Sequence, residues 1–114
     1  MHFGDFGFGL LRIGKITYEH DLIIDGGKIR KRKKKPSKRF HEEFGHTPLS
    51  IEEEIPWKYQ RLVIGTGAYG RLPVMEVKRE AERRKVELLI APTSKAIQLI
   101  KKDPAANAIL HVTC

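Results

Sequence analysis

Residues 61–70, RLVIGTGAYG, decide the fold, because a short apolar run leads directly into a loop that holds three glycines. The apolar run is typical of a short buried strand. In order, the predicted elements of this half are a strand at 61–64, a helix at 73–85, a strand at 86–90, a helix that Thr93 caps and a strand at 108–112. This alternation of strands and helices predicts a parallel sheet joined by right-handed crossovers.

The first half of the chain has a different pattern, which predicts an antiparallel hairpin. Its predicted pieces are a strand at 22–24, a DGG turn at 25–27, a second strand at 28–35 and a short acidic helix at 51–55 that Ser50 caps. We therefore predict an α/β fold, a three-layer single domain over residues 1–114. Its mixed sheet contains the βαβαβ second half, and the first half adds an antiparallel β-hairpin layer.

The composition is that of a globular domain without disulfides or membrane spans. One cysteine, Cys114, is present among 114 residues, so an intramolecular disulfide is excluded. No apolar run approaches the roughly 20 residues that a membrane-spanning helix needs, and residues 1–10 do not resemble a secretion signal. We expect a soluble cytoplasmic protein with no membrane partner. Its few Gln and Asn residues beside many Lys, Arg and Glu are typical of thermophile proteins.

The net charge of +8 arises in one segment, residues 28–39, which holds nine cations and no acidic residue. Such a segment can bind nucleic acid or another anion. It can also be the solvated edge of a sheet, where lysines prevent edge-to-edge aggregation. We favour the edge-strand interpretation, because no aromatic residue inside the segment offers a stacking platform for bases. The candidate anion-binding residues are Arg30, Lys31, Arg32, Lys33 and Lys35.

The loop after residues 61–64 contains the pattern G-x-G-x-x-G. In a dinucleotide-binding fold these glycines let the backbone approach a pyrophosphate. Here no acidic residue stands at 90–92 to hold a ribose hydroxyl, so we expect no nicotinamide cofactor. A tight turn that needs positive φ is the favoured interpretation, and binding of a smaller anion such as phosphate is the alternative. The candidate residues of this cleft are Gly65, Thr66, Gly67 and Thr93.

Two other groups of reactive side chains form no convincing site. His111 and Cys114 suggest a base and a nucleophile, but their spacing of three along a strand directs the two side chains to opposite faces. The two histidines and two glutamates within residues 41–46 match no strong zinc-binding spacing. The sequence therefore predicts no catalytic residue, no metal site and no cofactor.

Seven short stretches, in this order and spacing, resemble a known family. They are ITY at 16–18, GHTP at 45–48, LVIGTG at 62–67, L-x-V at 72–74, VEL at 86–88, PT-x-x-A at 92–96 and LHVTC at 110–114. Together they are similar to the Mth-type domain family of unknown function. That family includes the adipogenesis-associated Mth-type domain proteins and, more distantly, a mitochondrial complex I assembly factor. The resemblance implies a three-layer α/β fold and carries over no catalytic residue.

Three functions follow from these patterns. The leading hypothesis is a non-enzymatic binding or assembly module with a protein partner, and an uncovered edge strand makes a homodimer plausible. The first alternative is a small enzyme or anion binder that uses the cleft around residues 65–70, where the ends of adjacent parallel strands meet. The second alternative is nucleic-acid binding through residues 28–39, with an affinity that falls steeply with salt.

Overall fold

The computed structural model describes residues 1–7, 9–41 and 47–112. Strands and helices alternate in the second half of the chain, as the sequence predicts. The strands are β1 (Phe3–Gly7), β2 (Leu10–Ile13), β3 (Ile16–Tyr18), β4 (Leu22–Asp25), β5 (Lys28–Lys31), β6 (Leu49–Ser50), β7 (Arg61–Gly65), β8 (Val74–Met75), β9 (Glu87–Ala91) and β10 (Asn107–Leu110). The helices are a 3-10 helix (Lys35–Phe40), α1 (Val77–Arg83) and α2 (Thr93–Lys102).

The central sheet has five strands in the order β5-β4-β10-β7-β9. Strands β10, β7 and β9 are parallel, and Val63 of β7 lies between Ala108 and Leu89 in register. Strand β4 runs antiparallel to β10, and β5 runs antiparallel to β4. The helix α1 lies between β7 and β9 in the chain, and α2 lies between β9 and β10. The predicted βαβαβ unit within a mixed sheet is therefore confirmed.

Side chains of the central strands alternate between two cores, one on each face of the sheet. Val63 lies in the core that α2 covers, whereas its neighbours Leu62 and Ile64 lie in the core that α1 covers. Helix α2 buries Ala96, Ile97 and Ile100 in the first core, as its apolar stripe predicts. Helix α1 buries Val77 in the second. A sheet with a packed layer on each face is the predicted three-layer architecture.

The extra antiparallel layer comes from β1, β2 and β3, and not from the predicted hairpin. The hairpin β4–β5 instead extends the central sheet, because Leu22, Ile23 and Ile24 are all buried and need cover on both faces. Its turn is confirmed: Gly26 and Gly27 have φ of 59° and 81°, which the tight connection requires.

Three local predictions are wrong. The helix predicted at 73–85 begins only at Val77, because the residues before it pair as β8 with β6 in a two-stranded parallel sheet. The acidic helix predicted at 51–55 is a series of turns and irregular backbone. The strand predicted at 28–35 ends at Lys31, and a 3-10 helix with proline near its start follows. Long-range strand pairing and proline placement override local propensity here.

Candidate functional site

A cavity of about 450 Å³ opens where the parallel strands β7 and β10 end. The connection that leaves β7 crosses one face of the sheet, and the connection that enters β10 crosses the other, so the chain diverges between these two neighbours. Ligands of open α/β sheets bind at such a switch point. The walls of the cavity include Arg32, Lys34, Thr66, Gly67, Arg71 and His111.

The glycine loop supplies one wall of this cavity, but three of its amides donate hydrogen bonds within the protein. The amide of Thr66 donates to the carbonyl of Ala91 at 2.8 Å, and that of Gly67 donates to the hydroxyl of Thr93 at 2.8 Å. The amide of Gly70 donates to the carbonyl of Gly67 at 3.2 Å. A phosphate-binding loop directs such N–H groups at its ligand. These three amides are therefore not available to an anion in the cavity.

The glycines of this loop allow the backbone to approach neighbouring side chains closely and to adopt positive φ angles. Gly67 and Gly70 have φ of 99° and 66°, so the interpretation as a tight turn is confirmed. A Cβ atom on Gly67 would lie 2.7 Å from Cδ2 of His111, and one on Gly65 would lie 2.8 Å from Oγ1 of Thr93. The glycines thus allow the end of β7 to pack directly against α2 and against the residue that follows β10.

Thr93 joins these parts, although it does not cap the helix as predicted. It is the first residue of α2, Pro92 holds the capping position, and no side chain caps the helix. The buried hydroxyl of Thr93 accepts the hydrogen bond from Gly67 and donates one to the carbonyl of His111 at 2.8 Å. Of the predicted cleft residues, Thr66 and Gly67 therefore line the cavity, while Gly65 and Thr93 support it from behind.

His111 is paired with a carboxylate that the sequence did not reveal. Its Nδ1 lies 2.7 Å from Oδ2 of Asp21, whose side chain is 2% exposed. Because a carboxylate only accepts hydrogen bonds, Nδ1 is the donor and carries a proton. In the neutral ring Nε2 is then the unprotonated nitrogen, and His111 is one of the cavity walls. This is the arrangement by which proteins orient a histidine that transfers protons.

Arg32 belongs to the same buried cluster, which corrects its prediction as a surface residue for anions. Its guanidinium is 1% exposed and donates to Oδ2 of Asp21 at 2.8 Å, to both oxygens of Glu53 at 2.7 and 2.8 Å, and to the carbonyl of Pro48 at 3.0 Å. Ser37 also donates to Glu53, at 2.5 Å. Arg32 thus joins β5, β4 and the segment around Glu53 beneath the cavity.

The pKa of Asp21 lies well below its usual range. Burial alone would raise this pKa, but the hydrogen bond and charge of His111, the amide of Val112 at 2.7 Å and the charge of Arg32 together outweigh burial. The Asp21 carboxylate is therefore ionised at neutral pH and accepts hydrogen bonds from all three neighbours.

This pKa predicts how stability depends on acid. Because the folded pKa lies below the unfolded value of about 3.9, the contribution of ionised Asp21 is fully present above that value and is lost as the pH falls through the folded pKa. Urea unfolding at a series of pH values between 7 and 2 should show this loss. Asp21→Asn should reduce the slope of the free energy of unfolding against pH in the acid range. Asp5→Asn, at an exposed carboxylate, should leave this slope unchanged. Equal slopes for wild type and Asp21→Asn would contradict the assignment.

The basic segment is divided among different roles. The strand β5 is an edge of the central sheet, as the favoured interpretation predicts. Arg30 lies 3.6 Å from Asp25 and from Glu54, so its charge is partly compensated. The other three candidates are exposed, namely Lys31, Lys33 and Lys35. Nucleic-acid binding through this segment stays a prediction.

The Asp21–His111 pair was missed because it depends on strand pairing. The register places Leu22 of β4 beside Leu110 of β10, so the residues next to them, Asp21 and His111, meet at the same end of the sheet. The signal was present in the sequence as a polar residue that flanks each strand, but the partnership of β4 with β10 was not predicted. The predicted partner of His111, Cys114, lies outside the described residues.

The second group of reactive side chains is only partly visible. His41 lines the cavity, whereas Glu42, Glu43 and His46 lie outside the described residues. Within residues 1–7, 9–41 and 47–112, no group of three or more His, Cys, Asp or Glu side chains could hold a metal ion.

Comparisons with known proteins identify the fold and leave the function open. No protein-family model and no curated protein matches the chain. A conserved hypothetical protein, PH1505 from Pyrococcus horikoshii OT3, is 28% identical over all of both chains, with a TM-score of 0.81. The structure called MT938 is 21% identical over 99% of this chain and 98% of its own, with a TM-score of 0.72.

A third solved structure, described as an outer membrane protein from Bartonella henselae, is 19% identical over 96% of this chain and 92% of its own, with a TM-score of 0.61. In the described part of the present chain, no helix has the length and apolar character to cross a membrane. The three structures share the mixed α/β architecture described above, and the chain therefore has the same fold as the hypothetical protein from Pyrococcus horikoshii.

Proposed function

We propose that the cavity between β7 and β10 binds a small anion that carries a phosphate or carboxylate group. The observation that carries the proposal is the charge of the walls. Three cationic side chains and two imidazoles line the cavity, and no carboxylate does so among the described residues. A site lined by one sign of charge attracts the opposite sign.

Two of the cations are available to a ligand, and one is not. Arg32 is neutralised by the two carboxylates that it binds. Lys34 and Arg71 have no carboxylate within 4.0 Å in the described part of the chain, and Arg71 instead lies over the ring of Tyr69, 5.5 Å from its centroid. These two side chains are thus the binding groups of the proposed site, and an arginine suits the two oxygens of a carboxylate or phosphate.

The size and position of the cavity favour a small molecule over a polymer. Ligand sites of small molecules commonly have volumes of about 300–1,000 Å³, and this cavity has about 450 Å³. It lies at the switch point of the sheet, where open α/β sheets bind small ligands. A non-enzymatic binding or assembly role, which the family resemblance implies, is compatible with such a ligand, and the protein partner stays a prediction.

Isothermal titration calorimetry with inorganic phosphate tests the proposal. Lys34→Gln and Arg71→Gln should each weaken binding about tenfold, which corresponds to about 1.4 kcal/mol, because each removes one charge-assisted contact. The matched controls are Lys33→Gln, an exposed lysine beside Lys34, and Arg79→Gln, an exposed arginine on α1. Equal losses in the control variants, or no binding by the wild type at millimolar phosphate, would refute the proposed function.

A further inference from the structure

We infer that His111 is a general base that removes a proton from carbon, acting on a small carbonyl compound that carries a carboxylate or phosphate group. The proton comes from the carbon next to the carbonyl group. This inference rests on the proposed anion binding and extends it from a ligand to a reaction.

The contacts of His111 fix the orientation of its imidazole ring. The hydrogen bond from Nδ1 to Asp21 fixes the tautomer, so that Nε2 of neutral His111 is unprotonated, and His111 is one of the cavity walls. Gly67 lies against the ring, and Thr93 holds the carbonyl of His111 at 2.8 Å. The base is thus held at its ring and at its backbone, as efficient proton transfer requires. Asp21 is a positioning residue in this scheme.

The buried charged side chains beneath the ring of His111 favour its protonated form during the reaction. Among the described residues of the buried cluster, Arg32 carries one positive charge, and Asp21 and Glu53 carry one negative charge each, so these three sum to −1 while His111 is neutral. When Nε2 takes a proton, the imidazolium brings this cluster to neutrality. Such a carboxylate stabilises the imidazolium that forms during proton transfer.

The negative charge that forms on the carbonyl oxygen of the substrate needs a partner in the cavity. Acyl transfer usually relies on backbone amides that form an oxyanion hole, but the amides of Thr66, Gly67 and Gly70 already donate to Ala91, Thr93 and Gly67. No serine or cysteine lines the cavity in the described part of the chain. Lys34 and Arg71 line the cavity, and cationic side chains are suited to the oxygen of an enolate. The set of a base and nearby cations fits proton abstraction beside a carbonyl group.

The step is balanced without a cofactor. The C–H bond breaks, its proton forms a bond with Nε2 of His111, and its electron pair forms the carbon–carbon double bond of an enolate. The carbonyl oxygen takes the negative charge near Lys34 and Arg71. The imidazolium then returns a proton to carbon or to oxygen, which regenerates neutral His111.

Proton exchange in D₂O tests this inference directly. The full chain is incubated with pyruvate, 2-oxoglutarate or dihydroxyacetone phosphate, and the loss of the proton signal beside the carbonyl is followed by NMR. We expect exchange above the protein-free rate for at least one compound. His111→Asn retains an amide that can donate to Asp21 but lacks Nε2, and it should lower the exchange rate about 100-fold or return it to background.

Three further measurements make the result specific. The melting temperature of His111→Asn verifies folding, and His111→Gln replaces it if the first variant is unfolded. His20→Asn, at a histidine outside the cavity walls, should exchange like the wild type. Asp21→Asn should move the pH–rate profile of exchange to lower pH, which a loss of stability alone would not do.

The outcomes separate this inference from the proposed function. Phosphate binding with no exchange of any of the three compounds overturns the catalytic role and leaves anion binding intact. Exchange that persists in His111→Asn also overturns it. Failure of both phosphate binding and exchange refutes both proposals. Exchange that depends on His111, in a protein whose phosphate affinity depends on Lys34 and Arg71, supports both.

Discussion

Replacing Arg32 by methionine should lower the free energy of unfolding by about 3–5 kcal/mol, because the change leaves two buried carboxylates without their cation. Asp21 and Glu53 are each 2% exposed, so water cannot replace the guanidinium. Four hydrogen bonds of the arginine would be lost with the charge. A methionine fills a similar volume, so the change in stability measures the loss of the cation and not a void.

Urea unfolding at pH 7 measures this effect, and Lys33→Met is the matched control. Lys33 lies beside Arg32 but is exposed, and its replacement should change stability by no more than about 0.5 kcal/mol. The double variant Arg32→Met with Glu53→Gln should lose less free energy of unfolding than the two single variants together, because the second change removes a buried negative charge that no longer has Arg32 as its partner. A loss below about 1 kcal/mol for Arg32→Met would show that the cluster is not an ion network in solution.

Gly67→Ala should lower the free energy of unfolding by about 2–4 kcal/mol, because it combines two unfavourable effects. Its φ of 99° is a backbone angle that alanine rarely adopts. Its new methyl group would lie 2.7 Å from the ring of His111, which must then move away from the loop. Since the ring is bonded to Asp21, the movement should also disturb the proposed proton transfer.

Gly14→Ala separates the two effects. Gly14 has φ of 60°, but a Cβ atom there would meet nothing within 4 Å. Its replacement should therefore cost about 1 kcal/mol from backbone strain alone. Thermal or urea unfolding of both variants gives the comparison. Equal losses for the two variants would mean that the contact between residue 67 and His111 contributes nothing.

The fold was predictable where local pattern and burial agree. Apolar runs marked β7 and β9, the DGG turn marked the hairpin, and the stripe Ala96, Ile97 and Ile100 marked the buried side of α2. Prediction failed for β6 and β8, because two strands of two residues each exist only through their mutual pairing. No periodicity can reveal so short a strand. Because helix-forming residues follow β8, the helix was predicted to begin at residue 73, before its actual start.

The site was predictable as a place but not as a set of residues. The meeting of strand ends at residues 65–67 follows from the parallel sheet, and the cavity lies there. Asp21, Arg32 and Glu53 are far apart in sequence, and charged residues are usually solvated. Nothing local distinguishes Arg32 from its exposed neighbours Lys31 and Lys33. Only the pairing of β4 with β10 and the path of the segment around Glu53 bring these charges together.

The pairing of β4 with β10 also determines when the cavity can exist during folding. Asp21 and His111 are separated by 90 residues, and contacts of such separation form slowly because a long loop must close first. The recovery of the proposed anion binding after dilution from denaturant would thus report the pairing of β4 with β10. A newly synthesised chain would lack the complete cavity until β10 had joined the other strands.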